Sequence, residues 1–428
     1  MLDIGLVRGN PEVVRQSLKK RKDSQMLALL EELLRTDSLW RGLKQKTDSL
    51  RHARNEISKK INQAKKDKRG AGALIKQAKQ IPPKIKENED KMQELREKID
   101  SALSLLPNIL HESVPEGKTD ADNIEIKLWG RIASPGFELK HHGSLAVSLD
   151  LADFERAVKI SGPGFYFLKG ELALMDLALQ KMAIDDLAKK GFTPLYVPFM
   201  MKRKPYEGAA PLGDFENVLY KIEEQDLYLI ATSEHPMAAM FMDEILMEEE
   251  LPIKLCGISS CFRGEIGKHG IDEKGLFRVH QFSKIEQFVF CKPEDSWKFH
   301  DELLANSEWV LQKLELPYKV VNVCAGEIGN FAAKKYDVEG YSPREGKFIE
   351  VMSCSNCTDY QANRLNIRFR KKNSMEKTPV HTLNNTAIAT ARIIRLILEY
   401  YQTKQGTVKV PKVLQPYMNG LREIVPKK

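Results

Sequence analysis

Long apolar runs are missing from this sequence: none reaches the roughly 18 residues of a membrane span. The opening MLDIGLVRGNPEVV sets Asp3 and Glu12 where a secretory leader would need an apolar core, so a cytoplasmic protein with no membrane attachment is expected. Neither a Walker loop nor a GxGxxG turn occurs, which removes the two commonest nucleotide-binding signatures. Cysteine is scarce, with six in 428 residues (Cys256, Cys261, Cys291, Cys324, Cys354 and Cys357), so no disulfide framework is expected. Cys354-Ser-Asn-Cys357 has the spacing of a zinc or redox pair. Cys256 and Cys261, which could complete such a site, are spaced CxxxxC and stand about ninety residues earlier, which favours small buried thiols over a metal site.

What is present is an ordinary globular composition, 42% hydrophobic and 29% charged, with a net charge of +8. That charge is localised. Between Arg41 and Arg69 there are eleven Lys/Arg against three Asp/Glu, as large an excess as that of the whole chain. Residues 11 to about 110 read as helix, started by Asn10-Pro11. Apolar residues step by three and four through Trp40, Leu43, Leu50, Ile57 and Ile61, and again through Ile85, Met92, Leu95, Ile99, Ala102 and Leu106. Gly70 and Gly72 between the two runs suit a reversal. Two helices with such narrow apolar seams pair as an antiparallel coiled coil, an arm with little core of its own. Its basic first helix suits a phosphate backbone, although a solvated lysine-rich face would read the same way. Pro82-Pro83 predicts a kink or local unwinding.

Leu106-Pro107 and 114–117 end the arm and start a linker, placing a domain boundary at 112/113. Beyond it the texture changes. Helices are expected over 170–190, 235–249, 294–313 and 386–402, and strands over TPLYV, ending against Pro198, and over LYLIAT, KLCGISSCFR, LFRVHQFSKIEQFVF, YKVVNVC and KFIEVMSC. With few βαβ alternations, this pattern predicts an α+β domain on an antiparallel sheet.

The segment from Cys261 to Phe288, CFRGEIGKHGIDEKGLFRVHQFSKIEQF, sets charges of both signs into strand-like sequence. Strand alternation puts Arg278, His280, Phe282, Lys284 and Glu286 on one face and Arg263 with Glu265 on one face. Two guanidiniums, two carboxylates and a phenyl ring could grip a ligand with phosphates, an amine and a flat ring system. Cross-strand ion pairs on a wet sheet face would need no ligand.

The same segment resembles motif 2 of the class II aminoacyl-tRNA synthetases, in its seryl form. GFTPLYVPF resembles motif 1, with Pro198 as its proline, and HTLNNTAIATARIIRLILEYYQ (381–402) resembles motif 3, with Arg392 as its arginine. LIATSE, ending at Glu234, is similar to the serine-contacting Thr-x-Glu segment, and EVMSCSNCTDYQANR (350–364) to the metal and ATP strand. The first residues, the basic hairpin and LPNILHESVPEG are similar too, so the chain is identified as a member of the seryl-tRNA synthetase family over nearly its whole length. Motif 3 departs from the bacterial LNGSGLAVGR at Asn385, Thr386 and Thr390, which gives it an archaeal-like form.

The resemblance implies an α+β catalytic domain (113–428) with the class II antiparallel sheet flanked by helices, and an N-terminal tRNA-binding domain (1–112) carrying the coiled-coil arm. It implies activation of L-serine with ATP and Mg²⁺ to seryl-adenylate, then transfer to the 3′ end of serine tRNA; it leaves selenocysteine tRNA open as a second acceptor. It implies no zinc, and a homodimer formed through motif 1 in which the arm of one subunit serves the active site of the other. For ATP it implies Arg263 on the α-phosphate, Glu265 on the adenine amine, Phe282 and Arg392 on either side of the ring, Arg392 and Arg278 on the outer phosphates, and Gly264, Val279, Val351 and Met352 along the nucleotide. Glu350 and Ser353 would hold Mg²⁺. For serine it implies Arg263 on the carboxylate, the Thr232-Ser233-Glu234 segment on the ammonium, Glu286 with Thr386 on the hydroxyl, and Asn384 beside them. His280 receives no role beyond a satisfied sheet histidine. The insert 266–276 is expected to shift when ATP and the tRNA end arrive.

Overall fold

Asp3 accepts from the backbone N–H groups of Gly5 and Leu6 and so starts α1 (Ile4–Gly9); Pro11 at the first position of α2 (Pro11–Lys20) starts the next helix. The computed structural model describes residues 1–132, 135–210, 218–265 and 275–426. It separates into Met1–Ile109 and Leu110–Lys428. The helical stretch expected from residue 11 is interrupted at 21–23, where Asp23 caps α3 (Ser24–Lys66). After a reversal comes α4 (Gly72–Leu105). Buried Asp37 on α3 takes Arg8 Nε and Nη2 at 2.9 and 2.6 Å and Arg41 Nε at 3.0 Å, tying α1 to α3.

At 43 residues α3 spans about 65 Å, and its pairing with α4 is antiparallel. Thr47 meets Met92, Arg51 Nη2 donates to Glu89 at 2.7 Å, and Ile57 packs with Ile81 and Ile85. The expected unwinding at Pro82-Pro83 does not occur, since α4 is helical through both prolines. Ile81 and Ile85 flank the pair and are buried, roughly 1.5–3 kcal/mol each. That is comparable with the about 3 kcal/mol that a proline costs inside a helix.

The stretch expected to start a linker is instead pinned to the second unit. Leu110 and Val114 are buried with Val321, Val323 and Ile328, and Ala325 N donates to Pro115 O. The unit's main sheet has eight strands: β1 (Ile124–Trp129), β2 (Thr193–Tyr196), β3 (Ile253–Phe262), β4 (Gln281–Cys291), β5 (Tyr318–Asn322), β6 (Lys334–Ser342), β7 (Lys347–Thr358) and β8 (His381–Ala389). Their order is β1-β5-β6-β7-β8-β4-β3-β2, antiparallel throughout except for the β2–β3 pair.

Helices α5 (Gly170–Lys189), α7 (Ser296–Lys313) and α8 (Thr390–Tyr400) contribute to the core on one face, where Ile285, Val289 and Cys291 of β4 are buried. On the other face Phe288 and Phe290 pack with Tyr206, Tyr228, Leu246 and Phe369. β4 is therefore apolar on both sides over its second half.

Three sequence expectations give way here. The helix expected over 235–249 is only α6 (Glu234–Ala238), because Ile245–Met247 instead pairs in parallel with residues 368–370 and buries Leu246. Residues 386–389 belong to β8 rather than to the following helix, with Thr386 paired to Glu286. The arginine hairpin is shorter than its alternation suggested. β3 stops at Phe262 and β4 starts at Gln281, so Arg263, Glu265, Arg278 and His280 lie beyond the strand ends. There the backbone finds other partners: Gly264 N donates to Val218 O, His280 N donates to Gly164 O, and Glu265 adopts φ +45°.

Candidate active site

At the first half of β4 the face that carries Phe288 and Phe290 turns polar. Phe282, Lys284 and Glu286 continue the alternation and line a cavity of about 720 Å³. β7 and β8 add Glu350, Val351, Met352, Ser353, Ser355, Asn384 and Thr386; β6 adds Lys335, and α8 adds Arg392. Thr232, Glu234, Arg263, Glu265 and Arg278 complete the expected set. Ser233, Gly264 and Val279 are not among the described lining residues. The Ser233 hydroxyl donates to Gly257 O at 3.4 Å, an approach that depends on glycine, since a Cβ at 257 would lie 2.9 Å from that of Ser233. Val279 is buried.

At the outer end the charges pair among themselves. Arg278 Nε lies 3.2 Å from Glu265 Oε2, and Arg392 Nη1 lies 2.9 Å from Glu350 Oε1. Burial acts to raise the Glu350 carboxyl, but Arg392 and Lys335 outweigh it and hold the group below the usual range. Arg263 differs: among the described residues it has no carboxylate partner. Its guanidinium lies 5.3 Å from the centre of the Phe282 ring and gives one N–H to Ala231 O at 3.3 Å. His280 is held by Tyr220 and by Arg263 O, each 2.8 Å from Nδ1, and stacks on Phe165. It is a satisfied histidine, but off the sheet.

At the inner end stand two carboxylates, Glu286 buried and Glu234 half-buried. Glu234 accepts from Gln361 Nε2 at 3.1 Å and Asn384 Nδ2 at 3.0 Å, both on Oε1. Glu286 accepts from Lys284 Nζ at 2.5 Å and Thr386 Oγ1 at 3.3 Å, both on Oε2. Each carboxylate is thus oriented through one oxygen, leaving the other for a ligand. Burial, reinforced by Glu286, pushes Glu234 up to about 7, and burial raises Glu286 as well.

Comparison with known proteins shows which family the chain belongs to. Residues 1–110 match the family model described as the seryl-tRNA synthetase N-terminal domain, and residues 218–401 match the tRNA synthetase class II core domain (G, H, P, S and T). A serine–tRNA ligase of Methanocella arvoryzae is 58% identical over 98% of this chain and 99% of its own. The chain belongs to the seryl-tRNA synthetase family. Two solved members of the family cover the whole chain. The Pyrococcus horikoshii enzyme, complexed with ATP, superposes with a TM-score of 0.96 at 46% identity and is covered over 100% of its length; the Naegleria fowleri cytoplasmic enzyme, in complex with AMP, gives 0.93 at 37% and is covered over 99%. The class II fold and the ATP-dependent ligation of serine to tRNA come with membership of the family.

Within this seryl-tRNA synthetase cavity, the motif reading gave no part to Lys284, Lys335, Ser355 or His235, nor to Gln361 behind Glu234. Lys284 already stood on the right strand face between Phe282 and Glu286. Gln361 is fully buried, donates to Glu234 and accepts from Thr382 Oγ1 at 2.7 Å, none of which spacing could show. His235 is driven down to about 3 by burial, with Lys284 and Arg263 adding to it, and is therefore neutral. All six cysteines are buried and none forms a disulfide; burial raises the thiols of Cys354 and Cys357 well above the ordinary value. The insert 266–276 falls mostly outside the described residues.

Proposed function

We propose that the cavity binds ATP along its outer arginines and L-serine between its inner carboxylates, and aligns the serine carboxylate for attack on the α-phosphorus. One observation carries this reading: a single cavity joins Arg263 to the half-buried Glu234 and the buried Glu286. Among the described residues Arg263 has no carboxylate partner, and hydrogen-bond donors reach only one oxygen of each glutamate. The attack yields seryl-adenylate and pyrophosphate, after which a terminal ribose hydroxyl of the tRNA takes the seryl group. Neither step needs a protein nucleophile, so the chain's contribution is alignment and charge stabilisation. Arg263 holds the α-phosphate and the serine carboxylate. Phe282 and Arg392 flank the adenine, whose amine donates to Glu265, and Arg278 and Arg392 turn from their glutamates to the outer phosphates. The ATP and AMP complexes of the two relatives support the nucleotide half of this reading.

A class II reaction implies Mg²⁺, and the oxygen donors here suit it. Glu350 and Ser353 line the cavity, and Asp337, paired with Ser353 across β6–β7, has a buried Oδ1 without a partner among the described residues. Burial pushes Asp337 up to about 6, against Lys335 at 3.0 Å. No three His, Cys, Asp or Glu side chains among the described residues form a metal cage, so a cation held by Glu350 and Ser353 would complete its shell with water and phosphate oxygens. Bound there, it would neutralise phosphate charge.

At the amino-acid end Glu234 meets the ammonium and Glu286, with Thr386, the hydroxyl. A site that hydrogen-bonds a hydroxyl rejects the analogue without it, so Glu286→Ala narrows the serine-over-alanine preference by about 10²-fold or more in ATP–pyrophosphate exchange. An unchanged ratio moves that role elsewhere. The Glu234 ionisation gives a second test. Below about pH 7 the free enzyme holds this carboxyl protonated, and pairing with an ammonium requires the proton to leave. The KM for serine therefore falls as pH rises toward 7, by up to about tenfold per unit, and levels above it. Glu234→Gln removes that slope; a slope that survives in the variant belongs to another group.

Exposed apolar side chains Leu174 and Leu177 on α5 and Tyr196 on edge strand β2 support a homodimer through motif 1. The exposed basic helix of the 1–109 unit supports binding of serine tRNA by the arm. No helix among the described residues is long and apolar enough to cross a membrane.

A further inference from the structure

Lys284 is buried inside the amino-acid pocket, and it reaches two different parts of that pocket. Nζ lies 2.5 Å from Glu286 Oε2 and donates to Thr232 Oγ1 at 3.0 Å. A lysine that merely neutralised a buried glutamate would need only the first of these bonds.

The donors and acceptors around Thr232 show what the second bond does. A hydroxyl has two lone pairs and one proton. Thr232 Oγ1 accepts from Lys284 Nζ and from Glu234 N at 3.2 Å, which engages both lone pairs. Its own proton is then left to donate, which suits a carboxylate oxygen better than the ammonium to which the family resemblance assigns Thr232. Glu286 is constrained in the opposite sense. Lys284 and Thr386 converge on Oε2, and among the described residues no donor reaches Oε1. Held beside a cation, that oxygen accepts from a substrate hydroxyl, which alanine lacks.

We propose that Lys284 is a positioning residue for serine selection: it fixes Glu286 as the acceptor for the substrate hydroxyl and Thr232 as a donor to the substrate carboxylate. This rests on Glu286 being the group that meets the serine hydroxyl.

The test is a double-mutant cycle of K284M and E286Q, following serine- and alanine-dependent ATP–pyrophosphate exchange and the Tm of each variant. K284M and E286Q are each expected to narrow the serine-over-alanine ratio of kcat/KM by about tenfold or more, as hydrogen bonds to charged groups are worth. The change falls on the KM for serine, with the KM for ATP unmoved, and the double variant is no worse than the worse single one. A folded K284M with the wild-type ratio, or a double variant whose losses multiply, overturns the proposal while leaving Glu286 its role. A wild-type ratio in E286Q overturns the reading of Glu286 and the proposal with it. Should K284M fail to fold because Glu286 is stranded without its cation, K284R replaces it in the cycle. Arginine keeps the charge but presents a planar fork in place of a point donor. Reduced discrimination by K284R that disappears in the E286Q background supports the proposal, and wild-type discrimination overturns it.

Discussion

Arg263→Ala lowers serine-dependent ATP–pyrophosphate exchange by about 10²–10³-fold, the loss seen when one preorganised donor to developing charge is removed. Arg278 and Arg392 are each paired with a glutamate in the free protein, so part of what they give a phosphate is offset by what they leave. Arg263 has no carboxylate to leave, among the described residues, and spends one N–H on Ala231 O while its plane is held over Phe282. Its remaining donors are preorganised toward the cavity. Arg263→Lys restores the charge without the bidentate fork and falls between wild type and alanine. A second consequence separates this role from a structural one. Arg263 is among the cations that hold Glu234 and Glu286 down, so its removal raises both carboxyls further. The pH at which the KM for serine levels off therefore moves upward in Arg263→Ala. Near-normal exchange by a folded variant would remove Arg263 from the reaction.

The parts of the fold that were legible in the sequence are those fixed by local periodicity. The seams through Trp40–Ile61 and Ile85–Leu106 point to paired helices because a 3.6-residue period is written in the chain itself. Pro82-Pro83 misleads because Ile81 and Ile85 pack across the pair, a tertiary effect that overrides the local one. The same division holds in the sheet. Alternation places Phe282, Lys284 and Glu286 together, and the structure agrees. It cannot say where the ladder ends. That is decided by Gly164 and Val218, which take the backbone donors of His280 and Gly264. Arg263 and Arg278 nevertheless reach the same cavity, from loops rather than from a strand face.

In the site, motif resemblance points to side chains expected to touch ligand, and most of those line one cavity. It names Asn384 but not Gln361 or Lys284, and says nothing of how the carboxylates are oriented. Gln361, Asn384 and Lys284 decide which oxygen of Glu234 or Glu286 stays open, and that choice is made by donor geometry across strands and a helix. No spacing rule carries it. Residue type shows only that Lys284 is a charge on a face that must pair it.

Shortening the arm abolishes tRNA charging and leaves ATP–pyrophosphate exchange within about twofold of wild type, far inside the effect of removing a catalytic donor. Every described residue lining the cavity belongs to Leu110–Lys428, so on the proposed reading adenylate formation is expected without α3 or α4. The register of the pair says where to cut. Arg51 lies opposite Glu89, so joining Leu50 to Asp90 through a short glycine turn removes the outer hairpin. The cut keeps the Thr47–Met92 pair and the Arg8–Asp37–Arg41 network at the base. Val7, Val14, Leu30, Leu33, Ile99 and Leu103, which are buried in this unit, all survive it. A milder change tests whether charge is the cause. Lys60, Lys65, Lys66 and Lys68 are exposed on α3 or in the reversal that follows it. Changing all four to Gln weakens tRNA binding and lowers the slope of log affinity against log salt by up to about 0.9 for each phosphate no longer neutralised. The KM for serine does not move. A shortened enzyme that still charges tRNA at the full rate would refute a role for the arm, and an unchanged salt slope in the four-lysine variant would make the +8 of this segment a solvated helix face and nothing more.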